Sequence, residues 1–139
     1  MTLKDSSALS ALERECFSCP WSEDSFIECL DNDRYCFIGL YEDGELVGYG
    51  GLLSIFEVGD IVNVAVRSDK RRRGYGEMLM TALENEAKAR EVSTLFLEVR
   101  ESNSSARRLY EKLGYTLDGL RKNYYVKPQE NAVIMKKQL

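Results

Sequence analysis

Residues 64–77 read VAVRSDKRRRGYGE, an apolar strand that runs into a basic, glycine-containing turn and then opens a helix. After the turn, apolar residues recur at helical spacing and give the helix one apolar face: Tyr75, Met78, Leu79, Ala82, Leu83 and Ala87. The N–H groups of a helix's first turn lack partners within the helix, and the helix dipole is positive there. Such an end attracts anions, phosphates above all.

Glycines and arginines surround this helix start. Because Gly74 and Gly76 lack a Cβ, a ligand can approach the main chain closely. Positive charge is added at the same point by three consecutive residues: Arg71, Arg72 and Arg73. These residues favour a pyrophosphate cradle, although a short glycine pattern also fits a solvated basic loop before an ordinary helix.

Length and composition predict one domain covering residues 1–139, long enough to bury a core. The net charge of −4 argues against a general nucleic-acid binder, so the basic run 67–73 stands out locally. No apolar stretch is long enough to span a membrane, and the N-terminus lacks the apolar core of a signal peptide. We therefore expect a cytoplasmic protein with no membrane partner and no direct nucleic-acid partner.

The absence of histidine removes Ser-His-Asp and Cys-His nucleophilic systems and every His-ligated metal site. A general base must come from a carboxylate, a lysine, a tyrosine or a water that they hold. The cysteines at 16, 19, 29 and 36 are expected to be reduced, and their spacing is unlike that of a zinc ribbon, so no metal is predicted. A nucleotide-hydrolysing P-loop is excluded because Glu77 follows Gly76, where that motif has Lys and then Ser or Thr.

The apolar patterns predict the order α, α, β-β-β, α, β, α, β-β. Predicted helices cover 7–17, a segment after the N-cap Ser22, 75–90, and a segment from Ser102 or Asn103 to Leu113. Predicted strands cover 35–41, 46–55, 61–66, 92–99, 115–124 and 131–136, with turns at 42–45 and 57–60; residues 1–6 leave room only for a stubby first strand. The crossover from 61–66 to 92–99 makes these two strands parallel, so we expect an α/β (α+β) mixed sheet with helices on both faces.

Three residues are candidates for chemistry or binding. Glu98 lies in an otherwise apolar strand, where a carboxylate is costly unless it is paired or faces a wet cleft; it is either a general base or an ion-pair partner of Arg100 or a helix residue. Tyr110 is either a proton donor or a core tyrosine with a satisfied hydroxyl. Trp21 either forms a hydrophobic staple with Phe26 or walls a substrate site.

A family resemblance connects these features. Arg71-x-x-Gly74-x-Gly76 resembles the acetyl-coenzyme A signature of the GNAT N-acetyltransferase superfamily. Three further stretches, at 20–23, 97–114 and 123–135, resemble the RimI type, the bacterial acetyltransferases of a ribosomal protein's N-terminal alanine. Together they cover most of the chain from 20 to 136.

The resemblance implies a mostly antiparallel sheet of six to seven strands whose central parallel pair, 61–66 and 92–99, splays apart to admit acetyl-CoA. It implies that Glu98 is the general base, that Tyr110 is the general acid, and that acetyl-CoA is the co-substrate with no metal. It places the coenzyme arm on Asn103 and on the backbone of Val64, Ala65 and Val66. The pyrophosphate would be wrapped by the turn that holds Arg71, Arg72, Arg73, Gly74, Tyr75, Gly76 and Glu77.

The acceptor is expected to be a protein or peptide N-terminus, with a ribosomal protein as one candidate. It would bind near Trp21 and near Tyr124 and Tyr125, which lie in the predicted loop 122–131. Two alternatives remain: an acetyltransferase of lysine side chains, polyamines or another small amine, and a non-catalytic acetyl-CoA-binding regulatory module. A nucleic-acid binder that uses the arginine run is disfavoured by the acidic net charge. The sequence leaves the oligomeric state open.

Overall fold

The computed structural model describes all 139 residues and contains one mixed sheet of six strands with helices on both faces. The helices are α1 (Ser6–Cys16), α2 (Glu23–Leu30), α3 (Tyr75–Ala89) and α4 (Ser104–Lys112). The strands are β1 (Tyr35–Glu42), β2 (Glu45–Ile55), β3 (Val58–Val66), β4 (Thr94–Arg100), β5 (Thr116–Tyr125) and β6 (Glu130–Gln138). The strand order is β1-β2-β3-β4-β6-β5, and only β3 and β4 run parallel, which confirms the predicted fold class.

The structure narrows one local prediction and corrects another. The stubby first strand for which residues 1–6 left room does not form; a short 3₁₀ helix, Leu3–Asp5, leads directly into α1, so the sheet has six strands, within the predicted six to seven. The predicted turn at 57–60 is shorter, because the chain reverses at Phe56, which has a φ of 53°. Asp60 is therefore a strand residue, paired with Leu53 of β2 and Phe96 of β4.

The core lies on both faces of the sheet. On one face, α3 and α4 cover a cluster that includes Leu52, Leu83 and Leu95. On the other face, α1 and α2 cover a second cluster that includes Leu9, Phe26 and Tyr49. Because α1 and α2 pack on β1, β2 and β3, the same face of β4, β6 and β5 is left open. None of the helices combines the length and hydropathy needed to cross a bilayer.

Predicted caps and turns set the ends of the elements. The Ser22 hydroxyl accepts the Ser25 N–H at 3.2 Å and caps α2. The Trp21 and Phe26 rings lie 5.4 Å apart, as the predicted staple requires. Gly114 ends α4 with a φ of 99°, in the left-handed region that glycine adopts readily.

A buried carboxylate that the sequence analysis did not single out joins α1 to the sheet. Glu13 is 1% exposed and accepts hydrogen bonds from the Tyr49 hydroxyl of β2 and, at 3.3 Å, from Asn63 Nδ2 of β3. Asn63 Nδ2 also donates to the Tyr49 oxygen at 3.0 Å. Burial raises the pKa of Glu13, and the hydrogen bond from Tyr49 opposes that rise.

This raised pKa predicts a pH-dependent stability. The folded protein holds the Glu13 proton more tightly than the unfolded chain, so the contribution of Glu13 to stability is highest at acid pH and falls as pH rises from 4.5, the group's ordinary pKa, through the folded-state value. Glu13→Gln cannot ionise, so we expect its unfolding free energy, relative to wild type, to rise over that window. Urea unfolding from about pH 4 to about pH 8 measures this difference.

Glu15→Gln is the matched control, because Glu15 lies on the same helix and is exposed. Its difference from wild type should stay flat over the same range. A Glu13→Gln difference that is independent of pH would contradict the prediction.

Candidate active site

The parallel ladder between β3 and β4 is short. It runs from Val58 opposite Thr94 to Ile61 opposite Leu97 and then stops. Beyond that point β3 stays paired with β2, and β4 stays paired with β6. The two strands therefore separate between 62–66 and 98–100, which confirms the predicted splayed pair.

Backbone groups of β3 face this gap. The Arg67 N–H donates to the Val47 oxygen of β2 at 2.7 Å. Because alternate residues of a strand direct their backbone groups to the same side, Val64 and Val66 direct theirs away from β2 and into the gap, whereas Ala65 faces β2. An extended ligand in the gap can therefore add hydrogen bonds to Val64 and to the Val66 N–H, while side chains already donate to the Val66 carbonyl.

The start of α3 has the geometry of an anion site. Gly74 precedes the helix with a φ of 80°, and no side chain caps the helix. Met78 is the first residue of α3 whose N–H bonds a carbonyl, that of Gly74 at 3.1 Å. The preceding N–H groups, those of Tyr75, Gly76 and Glu77, are thus available to a ligand.

The two glycines of the turn differ in role. A Cβ on Gly74 would meet nothing within 4 Å, so a ligand can approach its backbone from that side. A Cβ on Gly76 would lie 3.2 Å from Leu109 Cδ2, so this glycine lets α4 pack closely against α3. The predicted space for a ligand beside the main chain is therefore present at Gly74. At Gly76 the Leu109 side chain fills that space.

The three arginines also differ. Arg71 Nε donates to the Val66 carbonyl at 3.0 Å, and Arg73 lies 3.7 Å from a Glu42 carboxylate oxygen. Arg72 adopts a positive φ of 63° and forms no ion pair. Arg72 is thus the arginine of the run that is left for an anionic ligand.

Glu42, which the sequence analysis assigned to a turn, organises this region from the end of β1. It accepts hydrogen bonds from the Tyr75 hydroxyl at 2.8 Å and from Lys70 Nζ at 3.0 Å. These two donors lower the pKa of Glu42. No sequence pattern identifies Glu42 as a site residue, because its partners Lys70 and Tyr75 come after β2 and β3 in the chain.

Glu98 lies at the gap on the open face of the sheet. It is the first residue of β4 after the last parallel pair, and its neighbours Leu97 and Val99 point into the opposite core. Its side chain is 27% exposed, and Arg121 Nε of β5 lies 3.3 Å from Oε1. An ion pair is thus present, but with Arg121 rather than with the predicted Arg100, which pairs with Glu130.

Tyr110 lies on the other side of the sheet. It is 9% exposed, packs in the cluster that holds Val99, and its hydroxyl forms no hydrogen bond within the protein. Its ring centroid lies 6.0 Å from that of Tyr115. Burial raises the pKa of Tyr110 to about 12. Glu98 and Tyr110 therefore flank the strand pair from opposite faces.

Asn103 caps α4. Its Oδ1 accepts the Ala106 N–H at 3.2 Å, while its amide nitrogen remains a possible donor to a ligand. The structure thus confirms the predicted N-cap role of Asn103. Its contact with the coenzyme arm stays a prediction.

The end of β5, with Tyr124 and Tyr125, lies next to Glu98, and the loop to β6 follows it. Burial and the Glu98 carboxylate both raise the pKa of Tyr124. Arg100 lies 4.4 Å above the Tyr125 ring and donates to the Pro128 oxygen at 3.0 Å, so it holds the loop to β4. Cys19 Sγ reaches the Val126 oxygen at 3.5 Å and joins this loop to the turn that carries Trp21. Tyr124 and Tyr125 therefore border the open face, whereas the Trp21 ring packs on Phe26 and Phe37 and reaches this loop only through Cys19.

Known proteins share this architecture. The family model described as the acetyltransferase (GNAT) family matches residues 6–115. The chain is 36% identical to the ribosomal protein bS18-alanine N-acetyltransferase of Salmonella typhimurium over 137 residues, 97% of this chain and 92% of that protein. The crystal structure of the ribosomal-protein-S18-alanine N-acetyltransferase from Escherichia coli superposes with a TM-score of 0.92 at 33% identity, over 99% of this chain and 90% of the other.

A more distant structure shares the fold alone. The PaiA N-acetyltransferase of Thermoplasma acidophilum, solved in complex with coenzyme A, superposes with a TM-score of 0.83 at 18% identity. The superposition covers 100% of this chain and 96% of that one.

The geometry at Gly74 predicts a specific loss of coenzyme binding. Gly74→Val places a side chain where the ligand would approach, so we expect acetyl-CoA affinity to fall at least tenfold, that is by about 1.4 kcal/mol or more, measured by calorimetry. The left-handed backbone should also cost about 1–2 kcal/mol of stability.

Gly44→Val controls for that strain. Gly44 has a φ of 81°, and a Cβ there also meets nothing within 4 Å, but it lies in the β1–β2 hairpin. It should lose similar stability and keep its acetyl-CoA affinity. Equal losses of affinity in both variants would place the coenzyme site elsewhere.

Proposed function

This chain belongs to the acetyltransferase (GNAT) family, and from that premise we propose that it acetylates the N-terminal α-amine of a ribosomal protein that begins with alanine. It is an acetyl-CoA-dependent N-acetyltransferase. The observation that carries the proposal is the gap between β3 and β4, with the Glu98 carboxylate on the open face and the unbonded Tyr110 hydroxyl on the other. Two proteins that resemble it along nearly their whole length are named for a ribosomal-protein alanine acceptor.

The open face supports a protein acceptor. It is bordered by Tyr124 and Tyr125, whose rings can pack along a peptide, rather than by a closed pocket around a small amine; Trp21 remains a candidate at the edge of this face through the Cys19 contact with the loop. A ribosomal-protein acceptor would place the reaction in the cytoplasm, the compartment that the sequence analysis also expects.

Glu98 would act on the acceptor amine. An α-amine has a pKa near ~8 and is largely protonated at neutral pH, so it must lose a proton before it can attack a thioester. Glu98 would take that proton, directly or through a water. The Arg121 ion pair orients the carboxylate, and since Arg121 is exposed, an arriving ammonium can compete with it.

The backbone of β3 would stabilise the charge that develops on the acetyl oxygen. An N–H of Val64 or Val66 faces the gap and can donate to that oxygen. One such donor is worth roughly 2.7–4 kcal/mol of barrier in enzymes that use oxyanion holes. The new bond joins the acceptor nitrogen to the acetyl carbon, and the bond from that carbon to sulfur breaks.

Tyr110 would assist the departing sulfur. Its pKa of about 12 lies above that of an ordinary thiol, near ~8.5, so complete proton transfer to a thiolate is uphill in the coenzyme-free protein. Its free hydroxyl can still donate a hydrogen bond to the sulfur as negative charge develops there. This role needs the hydroxyl to be protonated, and a raised pKa keeps it so.

The base assignment predicts a selective loss of turnover. Glu98→Gln keeps the side-chain shape but cannot accept the proton, so we expect kcat to fall by ~10²–10⁴. Acetyl-CoA affinity should stay within a few-fold of wild type. Steady-state kinetics and calorimetry measure the two quantities, and Glu101→Gln, an exposed neighbour, is the control. Unchanged turnover in Glu98→Gln would remove Glu98 from the mechanism.

The acceptor class is tested by direct competition. Purified protein with acetyl-CoA is offered an N-terminal alanine hexapeptide, an N-terminally blocked peptide that contains lysine, and spermidine, and the products are identified by mass spectrometry. We expect acetylation of the free α-amine to dominate. Preferred acetylation of lysine or spermidine would replace the proposed acceptor, and no transfer to any amine would support the binding-module alternative.

A further inference from the structure

Asp60 places a second carboxylate on the open face beside Glu98. Its neighbours Gly59 and Ile61 face the opposite core, where a Cβ on Gly59 would come within 2.7 Å of Leu95 Cδ2. Because strand side chains alternate, Asp60 points to the open face. Its partner on β4 is Phe96, two residues before Glu98 on the same face.

Asp60 and Glu98 flank the last parallel pair, Ile61 and Leu97, at the closed end of the gap. A strand separation of about 4.8 Å and a rise of about 3.3 Å per residue put their Cα atoms about 8 Å apart. Both carboxylates can therefore reach one small cation that lies between them.

One positively charged side chain, Arg121, already lies near both Asp60 and Glu98. The Arg121 guanidinium contacts Glu98 at 3.3 Å. Partial burial and the Glu98 carboxylate raise the pKa of Asp60, and Arg121 lowers it, so Arg121 acts on both carboxylates. This part of the face thus binds positive charge in the free protein.

The charges here do not balance. Two carboxylates face one guanidinium, which leaves one negative charge. The other basic side chains nearby have partners of their own, since Arg100 pairs with Glu130 and Lys136 pairs with Asp118. The residual charge suits a ligand that carries one positive charge.

We propose that Asp60 is a further acceptor-binding residue, which with Glu98 holds the protonated α-amine of the acceptor at the closed end of the gap. The inference rests on the proposed function. Asp60 neither gains nor loses a proton in this role; it anchors the ammonium until Glu98 removes the proton. The sequence analysis placed Asp60 in a turn at 57–60 and therefore did not identify it as a site residue.

The test compares two peptides that differ only in the amine. One is an N-terminal alanine peptide, and the other is its des-amino analogue, in which propionyl replaces alanyl. Binding of each to the wild-type protein and to Asp60→Asn is measured by calorimetry with coenzyme A present. We expect Asp60→Asn to lower the affinity for the amine-bearing peptide about fivefold, which is the effect of losing a solvent-accessible ion pair. Affinity for the des-amino peptide and for acetyl-CoA should not change.

Asp118→Asn is the matched control, an exposed aspartate of β5 with its own partner, Lys136, at 3.1 Å. It should leave both peptide affinities unchanged. Equal weakening of both peptides by Asp60→Asn would show a structural role and overturn the proposal, and so would unchanged affinity for both.

Failure of the proposed function gives a different result. If the wild-type enzyme acetylates lysine side chains instead, the α-amine acceptor is wrong. The same comparison, with N-acetyl-lysine amide and N-acetyl-norleucine amide, then decides whether Asp60 anchors the ammonium.

Discussion

The site depends on the early end of the parallel ladder between β3 and β4. The two strands can separate because each keeps an antiparallel partner on its outer side, β2 for β3 and β6 for β4. The separation leaves the Val64 backbone and the Val66 N–H without a strand partner, whereas Arg71 Nε and Cys16 Sγ donate to the Val66 carbonyl. A ligand that fills the gap can bond the groups that remain open. The same strand then ends at the turn before α3, so one continuous segment offers both a backbone edge and an anion-binding helix start.

The basic run 71–73 looks uniform in the sequence, yet each arginine has a different environment. Arg71 is held by the Val66 carbonyl, and Arg73 is held near Glu42. Arg72, in a left-handed conformation, has no ion-pair partner. Part of the positive charge therefore shapes the turn rather than neutralising a ligand. The unpaired N–H groups at the start of α3 then matter as much for anion binding as the side chains do.

Local sequence patterns predicted the helices and strands, but they did not predict the side-chain contacts between strands. The α3 helix follows from its apolar period, and the parallel pair follows from its crossover. Arg121, Glu42 and Asp60 acquire their partners through the register of strands that are distant in the chain, which one sequence does not reveal. Gly59 shows the physical reason for one error: it resembles a turn glycine, but a Cβ there would collide with Leu95, so it marks close packing within a strand.

The arrangement of the proposed base, Glu98, and the proposed acid, Tyr110, favours direct transfer over an acyl-enzyme. Glu98 and Tyr110 lie on opposite faces of the sheet, so the amine can approach from one side while the sulfur departs on the other. The nucleophile that a covalent route would need is poorly provided. Cys16 reaches the gap, but its Sγ donates to the Val66 carbonyl at 3.6 Å, and burial raises the pKa of its thiol. A thiol held in its protonated form is a weak nucleophile, so the acceptor amine itself is left to attack the acetyl carbon.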